Sequence, residues 1–179
     1  MAKALIIDGA SYPPPYHPHE YTGSEPNGEV EGGKIYTGSC HCGAVRVAVK
    51  SKPLDKTNSA PIFECNCSSC GRNGCMWIYP TKDQVEIQGR ENQSVYTFGL
   101  HAWGKTFCKI CGIAVGNEPM PVTDEQLAQF PEGYRTFYLE KSHIRAINLR
   151  LIDGVDVKDL NVVRSEGYDR PPFFVEPQP

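Results

Sequence analysis

The chain lacks an excess of positive charge: 18 Lys and Arg stand against 21 Asp and Glu, for a formal net charge of -3. The basic footprint that nucleic acid or an anionic membrane surface would ask for is missing from the overall balance. No apolar run approaches the roughly 20 residues of a membrane-spanning helix, and the opening Met1-Ala2-Lys3-Ala4-Leu5-Ile6-Ile7-Asp8 is too short for a signal-peptide core. A soluble, cytoplasmic protein with no nucleic-acid or membrane partner is expected. There is no glycine-rich phosphate loop, no Gly-x-Ser-x-Gly and no His-Glu-x-x-His, so nucleotide-loop, serine-hydrolase and zincin chemistry have no support. No internal repeat or long low-complexity segment is present. With 179 residues and 40% hydrophobic content, the chain fits one domain with an extension.

What the chain has in quantity is cysteine. Seven of its eight cysteines fall into three clusters: Cys40-His41-Cys42, Cys65-Asn66-Cys67-Ser68-Ser69-Cys70 and Cys108-Lys109-Ile110-Cys111-Gly112. Such short spacings suit thiolates gathered on one side of a turn, the geometry tetrahedral zinc demands, better than ordinary disulfides. A reducing compartment points the same way. The rival reading is a secreted protein with four disulfides, for which Asn92-Gln93-Ser94 would be a glycosylation site; it needs an export signal.

Cys40 and Cys42 project to one side of an extended stretch and make half a site, with His41 turned to the surface. Cys108 and Cys111, followed by Gly112, form a knuckle and make the other half. Joining clusters so far apart in sequence turns metal-binding energy into folding energy. Cys65, Cys67 and Cys70 place three sulfurs on one ion and leave a coordination position open. A centre of three thiolates is a poor maker of hydroxide but suits the capture of an incoming thiol as thiolate. By spacing alone, Cys75 could instead close a four-thiolate site, or be an ordinary buried strand residue.

Residues 1–33 read as a Pro/Gly-rich extension. Ser11-Tyr12-Pro13-Pro14-Pro15-Tyr16-His17-Pro18-His19 cannot be a regular helix or central strand, and the Gly- and Glu-rich run to Gly33 reads as a linker. Ala4 to Ile7 is a short edge strand at most, and His17 and His19 read as solvated. Residues 34–165 form the core, with short β-prone runs at Ala44–Val49, Cys75–Tyr79, Val85–Ile87, Val95–Phe98 and Ile147–Ile152, which together predict a mainly antiparallel β fold. A short helix is predicted over Thr123 to Phe130 and another helical turn near Asp156. Residues 166–179, with Arg170-Pro171-Pro172-Phe173-Phe174-Val175-Glu176-Pro177, form an irregular tail.

Taken together, these motifs identify a resemblance. The chain resembles the glutathione-dependent formaldehyde-activating enzymes, the family that includes centromere protein V, in Gly38-Ser39-Cys40-His41-Cys42-Gly43-Ala44-Val45, in Cys65-Asn66-Cys67-Ser68-Ser69-Cys70 with Arg72 and Gly74, and in Lys105-Thr106-Phe107-Cys108-Lys109-Ile110-Cys111-Gly112-Ile113. The resemblance runs from about Tyr36 to Gly154; residues 1–33 and the stretch from Glu118 to about His143 stand outside it. It implies a zinc-pinned fold of the β-tent type and two zinc ions. Cys40, Cys42, Cys108 and Cys111 would hold the structural ion, and Cys65, Cys67 and Cys70 the catalytic one near which glutathione binds; Cys75 has no counterpart.

The activity so implied is carbon-sulfur lyase chemistry, a thiol (glutathione) joined to an aldehyde (formaldehyde) as an S-hydroxymethyl adduct. Arg72 is the expected binder of a glutathione carboxylate. His101, Lys105 and Tyr79 are the candidates for the acid that protonates the carbonyl oxygen. The alternative is a non-catalytic, zinc-stabilised protein-binding module. A homodimer is compatible with either.

Overall fold

The computed structural model describes residues 17–57, 62–170 and 174, together with the backbone of residues 6–7 and 10–11. The fold is mainly β. Three strands, β3 (Lys34–Ser39), β4 (Arg46–Ser51) and β7 (Val85–Gln88), form one antiparallel sheet in the order β3-β4-β7. A second sheet is built from β5 (Ile62–Cys65), β6 (Met76–Ile78), β8 (Gln93–Thr97), β9 (Trp103–Cys108), β10 (Ala114–Pro119), β11 (Ala146–Asn148) and β12 (Val162–Ser165). Its order is β12-β5-β6-β11-β10-β9-β8. Near the N-terminus, β1 (Ile6–Ile7) and β2 (Ala10–Ser11) pair with each other; Ala4 and residues 12–16 of the proline-rich run lie outside the described residues.

Alternation explains the strands. In β7, Val85 and Ile87 are buried while Glu86 and Gln88 are half-buried, and β9 alternates over its whole length. The inward residues of the two sheets meet in one core, with Val47, Val49, Val85 and Ile87 from the smaller sheet against Ile62, Met76, Ile78, Val115 and Ile147 from the larger. Burying a side chain of this size stabilises by roughly 1.5–3 kcal/mol before conformational entropy is charged. Cys40 and Cys108 belong to the same core and have no exposed surface, so the first cysteine cluster caps one end of it.

The pairing is antiparallel except between β12 and β5, which run parallel with Ser165 beside Cys65. The run Ile147–Ile152 is not one strand: only Ile147 and Asn148 belong to β11, and Leu149–Leu151 is a tight helical turn. Asn148, buried in the larger sheet, causes the break. Its side-chain oxygen accepts from the Arg150 backbone N–H at 3.3 Å and its amide donates to the Ala114 carbonyl at 2.9 Å.

Of the helices, α1 (Cys70–Asn73) is a single turn and α2 (Asp124–Gln129) fills the predicted Thr123–Phe130 span, opened by a Thr123/Gln126 capping box. The turn expected near Asp156 is Val157–Asp159, capped by the Asp156 side chain. The helix α3 (Glu132–Lys141) was not expected, because Pro131 and Gly133 at its start mask its pattern. It is held by aromatic packing: Tyr134 and Tyr138 meet Phe130 edge-on, and Trp103 of β9 packs on Phe137 and Tyr138.

Residues 20–33, the run read as a linker, lie against β7 and the turn before it. The Gly28 N–H donates to the Asp83 carbonyl at 2.8 Å, the Gln84 side chain reaches the Glu29 carbonyl at 3.1 Å, and Gln88 pairs with Thr22. Pro26 and Gly28 are buried there. No helix among the described residues is long and apolar enough to cross a membrane.

Candidate metal centres

Two cysteine clusters assemble as their spacing predicts. The sulfurs of Cys40, Cys42, Cys108 and Cys111 all lie within 4.8 Å of one another, and so do those of Cys65, Cys67 and Cys70. All eight cysteines are free thiols, and Asn92, the sequon asparagine, is turned inward with its amide on the Ala44 carbonyl at 3.2 Å.

In the four-cysteine cluster, two matching turns present the sulfurs. Gly43 and Gly112 each follow a cysteine pair with φ of 72° and 75°, the left-handed region that only glycine enters without strain. Their N–H groups close the turns onto the Cys40 and Cys108 carbonyls at 2.9 and 2.8 Å. The Val45 N–H points at the Cys40 sulfur at 3.3 Å. Sulfur separations of 3.6 Å for Cys40–Cys42 and 3.7 Å for Cys42–Cys108 can be set against the edge of a zinc tetrahedron. With Zn–S bonds of about 2.3 Å, that edge is about 3.8 Å. The donor set fits zinc.

Protonation tells the same story. Burial pushes the Cys40 thiol up to about 12, while backbone N–H groups of Ile113 and Cys42 overcome burial and hold Cys111 at about 6. Four thiolates at this distance repel one another, and a dication is the partner that lets all of them ionise.

The three-cysteine cluster is assembled from the end of β5, the loop after it and the first residue of α1. Backbone N–H groups of Cys67 and Cys70 lean on the Cys65 and Cys67 sulfurs at 3.4 and 3.5 Å. The buried Cys70 sulfur receives two side-chain donors, the Trp77 indole N–H at 3.2 Å and the Lys105 ammonium at 3.5 Å. Lys105 also stands 4.7 Å above the Trp77 ring. The hydrogen bond from Cys70 holds Cys67 down at about 4, and that bond together with burial pushes Cys70 up. Cys75 is outside the group that could share an ion, with its sulfur turned to the Asn73 carbonyl at 3.9 Å. Three soft donors without a fourth protein thiol fit a thiophilic ion with an open position.

Two cavities border this cluster. A groove of about 650 Å3 opens beside Cys70, Trp77 and Lys105 and reaches Arg72; a smaller one of about 310 Å3 lies between Cys65, Cys70 and the charged residues Glu64, Arg164 and Glu166. Of the acid candidates, Lys105 is brought to the cluster. His101 sits in the β8–β9 turn with its ring on the Thr97 hydroxyl at 2.7 Å and does not line the groove. Tyr79 packs edge-on against Phe63. Burial, and after it the Cys70, Cys65 and Cys67 sulfurs, push its phenol up. Arg72 is exposed and donates to the Ser68 carbonyl at 3.0 Å, which aims its guanidinium along the groove's rim.

One feature of the site escaped the sequence motifs. Asn66, between two cysteines of the cluster, fastens the chain that follows β12: its side-chain oxygen accepts from the Gly167 and Tyr168 N–H groups at 2.7 and 3.1 Å, and its amide donates to Glu166 at 2.8 Å. Gly167 thereby lies directly on the cluster, where a Cβ would come within 2.7 Å of the Cys65 sulfur. An asparagine inside a cysteine motif was the available signal.

Fold and clusters together define a mainly β, cysteine-rich protein with, among the described residues, two sites that could each hold a metal ion. The chain belongs to the family described as glutathione-dependent formaldehyde-activating enzyme, which it matches over residues 35–134. That match includes the part of the Glu118–His143 stretch up to Tyr134. A crystal structure of a Rhodobacter sphaeroides protein, a structural-genomics target, is similar at a TM-score of 0.52 and 25% identity, covering 72% of this chain and 97% of that one.

Proposed function

We propose that the protein is a zinc-dependent carbon-sulfur lyase that joins a thiol, glutathione, to an aldehyde, formaldehyde in the family's name, to give an S-hydroxymethyl adduct. In this reading Cys40, Cys42, Cys108 and Cys111 hold a structural zinc, and Cys65, Cys67 and Cys70 hold a catalytic one. The supporting observation is the contrast between the two clusters. One is closed by four sulfurs at the end of the core; the other has three, a lysine on one of them, and a groove alongside.

When bound, zinc at the three-cysteine site supplies a positive centre that favours the thiolate form of a thiol. The rest falls to the chain's own residues. The thiolate sulfur adds to the carbonyl carbon, the C=O electron pair moves onto oxygen, and that oxygen takes one proton. Lys105, held between Cys70 and Trp77, is the group positioned to give it and to recover the proton the thiol lost. Arg72 on the rim matches a carboxylate of the thiol substrate bidentately.

The test is metal content with and without glutathione, combined with NMR exchange rates between formaldehyde, glutathione and their adduct. Two zinc ions per chain and an exchange rate that rises with protein concentration are expected. An exchange rate unchanged at substantial protein concentration overturns the activity while leaving the metal assignment standing.

A further inference from the structure

Formaldehyde is a one-carbon molecule, whereas the groove beside Cys70 measures about 650 Å3, in the range that encloses a drug-sized ligand. The two ends of that groove differ. Ser68 and Arg72, by α1, make one end polar. Tyr96 and Phe98, on β8 and just beyond it, make the other end aromatic, with ring centroids 5.8 Å apart and planes at 25°.

Strand order separates these ends, since β8 is at the opposite side of the larger sheet from β5, which leads into α1. Between them, β10 contributes the small residues Ala114 and Gly116 to the lining, and the Lys105 side chain reaches over this stretch to the Trp77 ring. Neither aromatic belongs to the hydrophobic core, and 46% of Tyr96 is exposed. Among the described residues no Asp or Glu lines the groove, and the two charged side chains there, Arg72 and Lys105, are both cations.

We propose that the aromatic end is the seat of the carbonyl substrate, and that this substrate is an aryl aldehyde whose ring lies on Tyr96 and Phe98 while its carbonyl group points toward Lys105. The inference rests on the thiol-aldehyde reading above and changes its substrate class. The polar end remains for the thiol and its carboxylate. Thiol and aldehyde combine without loss: the sulfur–carbon bond forms, the C=O pair goes to oxygen, the thiol's proton ends on that oxygen, and nothing is oxidised or reduced. Formaldehyde would leave the aromatic wall unused, and ring-on-ring contact is worth up to roughly a tenfold gain in binding.

The experiment compares formaldehyde, butanal and benzaldehyde as partners of glutathione on the zinc-loaded full chain, by NMR exchange. The expected kcat/KM for benzaldehyde exceeds that for formaldehyde by up to about tenfold, with butanal between. Tyr96→Ala and Phe98→Ala should shrink that ratio several-fold, through KM more than kcat. A native preference for formaldehyde, or a ratio that neither variant moves, overturns the proposal. If no aldehyde reacts, the thiol-aldehyde reading falls, and the aromatic end is judged by binding of the unreactive benzyl alcohol, followed through tryptophan emission. Saturable binding weakened by Phe98→Ala supports an aryl site, and absence of binding removes it.

Discussion

The ammonium of Lys105 stands 3.5 Å from the Cys70 sulfur and 4.7 Å from the centre of the Trp77 ring. A cation so placed favours the thiolate of Cys70 and also faces the groove where a carbonyl oxygen would develop charge. Lys105→Met should lower kcat by about 100-fold or more if the lysine supplies the proton. Lys105→Arg keeps the charge without an easily released proton, so it should recover zinc content but little of the rate. Zinc analysis and adduct-exchange kinetics on both variants check this. Full activity in the arginine variant would assign Lys105 to electrostatics alone.

The two clusters should separate in stability. Cys42 is exposed, so Cys42→Ser removes a metal donor with little loss of packing, yet it opens the site that caps the core. Structural zinc contributes its binding energy to folding. For a chain of this size each ~1 kcal/mol moves Tm by roughly 2–4 °C, so a loss of several kcal/mol lowers Tm on the order of 10 °C. Cys67→Ser, in a loop away from that core, should cost one metal ion and far less in Tm. Thermal melts paired with metal analysis decide it; equal Tm losses in the two variants would contradict the division of roles.

Much of the assembly of the two clusters was legible because the cysteines of each motif are local in sequence. Cys-x-Cys and Cys-x-x-Cys-Gly prescribe their own turns, and the alternating apolar residues of β7 and β9 prescribe strands. What the sequence could not convey was nonlocal. Lys105 reaches Cys70 only because β9 and β6 lie in one sheet with two strands between them. The parallel pairing of β12 with β5, and the hold of Asn66 on Gly167, join segments about a hundred residues apart that carry no motif. The helix α3 was hidden for a local reason, a proline and a glycine at its start, and is rescued by Phe130 and Trp103. Asn148 broke the run Ile147–Ile152 because its side chain satisfied backbone groups that a longer strand would have paired.

Asn66 should control how tightly the three-cysteine site keeps its ion. Its side chain supports the segment lying on Cys65 and Cys67, and outer partners of metal ligands typically account for about 10–100-fold in affinity. Asn66→Ala is expected to speed chelator-driven loss of one of two zinc ions by about tenfold and to raise hydrogen exchange over residues 165–170. Gly167→Ala forces a Cβ against the Cys65 sulfur and should act in the same direction. Uniform loss of both ions would point instead to general destabilisation.

The helical segment makes the fold sensitive to alkali. Tyr138 donates its phenol proton to the Met120 carbonyl at 2.6 Å, and burial raises the pKa of both Tyr138 and Tyr134 above the ordinary 10.0. In the unfolded chain these phenols ionise at about 10. Between that pH and the higher folded values, the unfolded state therefore binds fewer protons than the folded one, and stability falls as pH rises. The contribution is complete below pH 10 and lost above it. Tyr138→Phe removes the ionisable group together with one hydrogen bond worth about 1 kcal/mol. It should lower Tm slightly at pH 8 yet flatten the decline of Tm from pH 9.5 to 11, and a decline as steep as in the native chain would show that other groups set the alkaline limit.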